Sequence, residues 1–130
     1  MIEELTVTPL AGHPDDRGLS FSLPLELLGA ARDTHVATIR PGHVRGNHFH
    51  AHKYELIGVL YRGAWSLHWD TGPGTPARHR TFTGDGAVVV AVPKNWAHAV
   101  RNDGESEILI IVASDQPYDP TDSVARGVTD

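Results

Sequence analysis

Apolar positions along the chain fall in short runs of strand length rather than in helical stripes. THVATIR (34–40) precedes Pro41-Gly42, and YELIGVLY (54–61) precedes Arg62-Gly63. AWSLHWD (64–70) alternates, with Trp65, Leu67 and Trp69 on one face and Ser66, His68 and Asp70 on the other. AVVVAV (87–92) lies between Gly86 and Pro93, and EILIIVAS (107–114) follows the turn Asn102-Asp103-Gly104. Each run is rich in β-branched or aromatic residues and bounded by turn formers. Strands at a spacing of about ten residues predict an all-β sandwich or barrel. PLELLGAAR (24–32) allows one short helix at most, weakened by Gly29. TGPGTPARHR (71–80) reads as a loop joining two strands. Beyond Asp115 the chain turns polar and Pro-containing, which predicts a surface excursion that frays at its end.

Composition narrows the function classes. The 130 residues suit a single domain, and the 40% hydrophobic and 21% charged fractions are ordinary for a globular protein. No apolar run reaches the roughly 18 residues of a membrane helix. The N-terminus MIEELTVTPL is acidic and lacks the layout of a signal peptide, so a cytoplasmic location is expected. The absence of cysteine excludes disulfides and thiolate metal sites. A net charge of −5 argues against nucleic acid as the main partner. Nine histidines, several of them clustered, are the departure that needs a reason.

The stretch RGNHFHAHKYE (45–55) holds three of them. On a strand, His48 and His50 point to the same face, side by side. Glu55 can return on the next strand and add an oxygen ligand, and His98 in PKNWAHAVRN (93–102) can supply a fourth. Three imidazoles and a carboxylate suit Zn, Fe, Mn or Ni and leave a position open for water or substrate. His52 matches the alternation but falls in the expected turn. With Lys53 it is a candidate proton-transfer group rather than a ligand. Arg45 is a candidate for gripping a phosphate or carboxylate at the site edge. Tyr61 shares the Glu55 face and is a further catalytic candidate. His68 is a candidate cavity residue.

These motifs resemble the cupin superfamily. Gly42, His48, His50, Glu55 and Gly63 follow its first motif, with Gly63 one residue late. Gly86, Pro93, His98 and Asn102 follow the second, with one extra residue before Pro93 and Asn95 in place of a glycine. The extra residues are expected to form bulges. The resemblance implies a jelly-roll barrel over about residues 34–114, with an N-terminal arm (1–33) and a C-terminal tail (115–130). Within the cupins the chain looks like the C-terminal domain of bifunctional capsular-polysaccharide enzymes, and DDRGLSF (15–21) is similar to the opening of those domains. The reductase domain of those enzymes is not expected within these residues, and the His/Asp/Lys pattern of 3,5-epimerases is not matched. Zinc is then the favoured metal, and a keto-sugar nucleotide the implied substrate. Arg45, His68 and Asn102 stand as substrate-binding candidates. The first expectation is therefore an epimerase or isomerase of polysaccharide or deoxysugar biosynthesis. A non-haem dioxygenase or small-metabolite cyclase is the second, and a non-catalytic carbohydrate-binding module the third. The Trp and Tyr content near the first motif favours a homodimer.

Overall fold

The computed structural model of the chain describes residues 1–10 and 13–130. Its strands are β1 (Thr6–Pro9), β2 (His13–Asp15), β3 (Gly18–Ser20), β4 (Asp33–Ile39), β5 (Val44–Phe49) and β6 (Glu55–Arg62), then β7 (Trp65–Trp69), β8 (Arg78–Phe82), β9 (Asp85–Val92), β10 (His98–Asn102), β11 (Ile108–Ser114) and β12 (Val124–Ala125). Two five-stranded sheets, ordered β1-β9-β6-β11-β4 and β12-β5-β10-β7-β8, make a jelly roll, and β2 pairs with β3 as a separate hairpin. All strand pairs given for these sheets are antiparallel, as hairpins and long returns require.

The main core lies between the sheets. Alternation places Ile57 and Val59 of β6, Val88, Val90 and Val92 of β9, and Ile108, Ile110 and Val112 of β11 on one inner face. Trp65 and Leu67 of β7 and Val100 of β10 answer from the other. Trp65 is fully buried and stacks on Phe82 at 4.2 Å between centroids. Its indole N–H has no hydrogen-bond partner, so ring burial must outweigh a cost of about 1–3 kcal/mol.

The runs in β6 and β9 do not alternate because both faces of their sheet are covered. Leu56, Val89 and Ala91 point away from the main core and pack with Leu28, joined by Ile2, Leu10 and Leu23 of the N-terminal arm. The helical expectation for 24–32 shrinks to one 3₁₀ turn at Leu25–Leu28, ended by Gly29 at φ 79°. That turn seats Leu28 at 1% exposure.

Three expectations need correction. The stretch 71–80 is a loop only to residue 77, because Arg78 opens edge strand β8. Its RHRTF sequence hides the strand signal, since charged side chains keep an exposed edge from pairing with another chain. The two extra motif residues form no bulge. They lie in β6 and β9, which pair continuously from Glu55 opposite Val92 to Arg62 opposite Asp85. Both strands are one residue longer, so the lengthening cancels. The bulge is in β5 instead: His48 pairs with His98 and Gly46 with Ala99, leaving Asn47 unmatched at φ 57°. Gly46 is required there, because a Cβ would meet the His98 carbonyl oxygen at 2.5 Å.

The third correction concerns the tail. It does run over the surface, with only Asp122 and Val128 buried, but it is pinned rather than frayed. A second 3₁₀ turn (Pro120–Asp122) leads into β12, which pairs with Phe49 and His48 of β5. Val128 is buried against Ala97 and Ala99 on the back of the second sheet. No helix among the described residues is long and apolar enough to cross a membrane.

Candidate metal centre

His48 is near the end of β5, Glu55 begins β6 and His98 begins β10. His50 lies one residue past β5. The four side chains therefore meet at one end of the roll, and their potential ligand atoms all lie within 4.8 Å of one another. Asn95, in the turn before His98, adopts φ 70°, the left-handed conformation that asparagine tolerates in place of glycine.

The hydrogen bonds at the rear of the rings are as telling as the ligands. His50 Nδ1 lies 2.8 Å from the Asp122 carbonyl oxygen and His98 Nδ1 3.1 Å from that of Trp96. A carbonyl only accepts, so each Nδ1 carries the proton and donates. That leaves both Nε2 lone pairs facing the cluster. His48 Nδ1 is 3.3 Å from the Ser123 hydroxyl. The Nε2 atoms of His50 and His98 each stand 3.2 Å from Glu55 Oε1. That distance does not come with hydrogen-bond alignment at His50, whose buried Nε2 has no partner. Four potential ligand atoms gathered within 4.8 Å of one another, one of them a buried nitrogen without a partner, fit a metal ion.

Charge states agree with that fit. Burial, with His98 and His50 close by, pushes the His48 pKa down to about 4, so the ring is neutral near pH 7. Burial would raise the Glu55 pKa; hydrogen bonds and charge from His50 and His98 hold it well below the usual carboxylate range, a pull that a bound cation would supply when both rings are neutral and protonated at Nδ1. Neutral imidazole and ionised carboxylate are the forms that bind metal.

The cluster opens into a pocket of about 500 Å³. Apolar Ile57, Val100, Ile110 and Val112 line it, together with buried Lys53 and exposed Arg45. Lys53 Nζ is 3.6 Å from Glu55 Oε2. Arg45 Nε donates to the Thr38 carbonyl at 2.8 Å. Pattern reading missed His35, Tyr118 and Asp119, which also line this pocket. The alternation of His35, Ala37 and Ile39 along β4 could have flagged the first. Nothing local flags the other two, which arrive with the folded-back tail.

Four other sequence candidates lie elsewhere. The His52 side chain is exposed and absent from the pocket wall, and its backbone N–H donates to Asp122. Tyr61 does face inward, but six residues along β6 place it about 20 Å from Glu55. It packs against Trp65 and Phe82 there. His68 takes the face opposite Trp65 and Leu67, bonded to Ser66 at 2.8 Å and stacked near His79. Buried Asn102 donates to the carbonyls of Ile39 and Ser106 and accepts from Gly104, which makes it a turn staple.

A jelly roll that gathers the HxH pair, the glutamate and a distal histidine at one end of its barrel is a cupin. Among cupins, a family model described as the polysaccharide biosynthesis C-terminal domain matches residues 13–124, and the chain belongs to that family. No curated protein matches. The solved structures that resemble it include the capsular polysaccharide assembling protein CapF of Staphylococcus aureus, at 24% identity and TM-score 0.66 over 92% of this chain. The chain spans only 33% of CapF. The sugar 3,4-ketoisomerase QdtA of Thermoanaerobacterium thermosaccharolyticum, solved with TDP, matches at 15% identity and TM-score 0.71, covering 95% of this chain and 89% of QdtA. The TDP-quinovose 3,4-ketoisomerase WlaRB of Campylobacter jejuni matches at 16% identity and TM-score 0.70, with 96% and 95% covered.

Proposed function

We propose that this chain is a metal-dependent isomerase or epimerase that moves a proton beside the carbonyl of a keto-sugar nucleotide. The observation that carries the reading is the meeting of four ligand atoms and a buried lysine in one apolar-walled pocket. The family and the sugar ketoisomerases of the same fold support the substrate class.

His48, His50, Glu55 and His98 would hold the ion, with zinc favoured. A bound divalent ion supplies Lewis-acid stabilisation of negative charge developing on a carbonyl oxygen. Lys53, fixed beside the ligand carboxylate, holds and returns the transferred proton. Ile57, Val100, Ile110 and Val112 keep water from the reacting carbons. Arg45 pairs with the diphosphate.

The test is solvent deuterium incorporation into nucleoside-diphosphate 4-keto sugars by the metal-loaded protein. Exchange at a carbon beside the keto group is expected. Lys53→Met should slow it by about 10²- to 10⁴-fold, the usual worth of a general acid/base, while metal content stays at the wild-type level. An absence of exchange over a broad substrate panel, with metal bound, overturns the reading.

A further inference from the structure

The tail makes contacts that no motif announced. Asp122, only 6% exposed, accepts from the backbone N–H groups of Ala51 and His52 through its carboxylate, at 2.9 and 3.2 Å. Its carbonyl receives His50 Nδ1. The next residue, Ser123, sits behind His48. Two successive tail residues thus back two of the four ligands and brace the turn that leads from His50 to Glu55.

The strap is held in turn by groups in the body of the roll. The Asn47 carbonyl accepts from the Arg126 N–H at 2.9 Å, and Asn47 Oδ1 accepts from the N–H groups of Val128 and Thr129. Arg126 grips Asp70 with two bonds of 2.7 Å and lies over the Phe49 ring. Asn47 is the residue that the β5 bulge pushes out of the ladder, directly before His48. The backbone device that interrupts β5 also docks the strap.

We infer that residues 119–129 belong to the metal site, with Asp122 and Ser123 as positioning residues for His50 and His48. Docking of the strap and binding of metal are one coupled equilibrium. The inference rests on the metal reading above, though not on any substrate or reaction. An imidazole whose rear N–H is held by a carbonyl is a better-oriented and more basic ligand, and loss of such partners typically costs 10–100-fold in metal affinity. Coupling is reciprocal, so metal must tighten the strap by the same factor. Asp119, Pro120 and Ser123 also line the pocket, so strap order and pocket shape change together.

The experiment measures Zn²⁺ affinity of the full chain by competition with a chromogenic chelator, and the visible spectrum of the Co²⁺ form. Asp122→Ala keeps the backbone carbonyl but removes the carboxylate bonds to Ala51 and His52 that seat it behind His50; the loosened strap is expected to cost about tenfold or more in affinity and to alter the Co²⁺ bands. Asp122→Asn keeps an acceptor oxygen for Ala51 and should restore most of both. Hydrogen exchange on the unaltered chain, with and without Zn²⁺, needs no variant. The amides of Ala51, His52, Arg126 and Val128 should exchange at least about tenfold faster without metal. Equal affinity in Asp122→Ala and wild type, or strap exchange indifferent to Zn²⁺, overturns the inference alone. A wild-type chain that binds neither Zn²⁺ nor Co²⁺ overturns the metal reading and this inference together.

Discussion

The two ends of the chain cover the backs of the two sheets by different physics. The N-terminal arm covers the β9-β6 face with Ile2, Leu10, Leu23 and Leu28, an area-driven contact with no direction built into it. The C-terminal strap covers the β5-β10 face with one small apolar contact, Val128 on Ala97 and Ala99, and otherwise with directed bonds from Asn47, Asp70 and Asp122. An apolar cover tolerates substitutions of similar volume, whereas a polar one fails when a single partner is removed. Only the polar cover reaches the four candidate ligands. Damage to the arm should therefore cost stability alone, and damage to the strap should cost stability and metal affinity together.

Substitutions on either side separate these outcomes. Arg126→Ala should have the largest effect. It strands the Asp70 carboxylate, 4% exposed, without its cation. Urea unfolding should show a loss of about 3–5 kcal/mol, with Zn²⁺ affinity falling as well. Leu28→Ala should cost about 2–4 kcal/mol by the same measurement while Zn²⁺ affinity stays within twofold, because only the arm loosens. A large affinity loss there would erase the contrast between the two ends.

Asn47→Gly sharpens the strap side. Glycine keeps the positive φ, so the change removes only the side-chain bonds to Val128 and Thr129, at about 1–2 kcal/mol. The smallest effect is in pH dependence. Burial would raise the Asp70 pKa, but the Arg126 guanidinium and the N–H groups of Gly72 and Ala97 hold it below the ordinary 3.8. A lowered carboxyl pKa stabilises the fold above the unfolded value, and the gain is lost as pH falls through the folded one. The stability advantage of wild type over Asp70→Asn should be full above about pH 5 and shrink below pH 4. An advantage independent of pH would show that the Asp70–Arg126 pair does not couple to strap docking through charge.

Much of the site was readable one strand at a time. The HxH pair and the return to Glu55 follow from the period of two and the turn residues, His98 was marked by its place in the second motif of the resemblance, and the four side chains do meet. Asn95 in the left-handed region was equally legible, because its backbone need is local. What failed shares a cause. Tyr61 was assigned the correct face, but alternation says nothing about distance along a strand. Asn102 and His68 carried the right chemistry for a pocket, yet their partners are set by neighbouring strands. The two extra motif residues looked like bulges singly and cancel only when β6 is laid against β9.

Periodicity and turn residues by themselves determined an all-β sandwich or barrel, and the spacing of titratable groups a cluster competent to hold a metal, since each depends on neighbours a few residues apart; the resemblance to the cupins chose the barrel. Only the tertiary structure decided which groups hold those ligands in place. The bonds from the tail join residues 71 and 72 positions apart for Ala51 and His50 with Asp122, and 81 apart for Asn47 with Val128. Such bonds carry no local pattern. A polar stretch that satisfies its groups in water and one that satisfies them on the barrel have the same composition, and only the positions of their partners distinguish them.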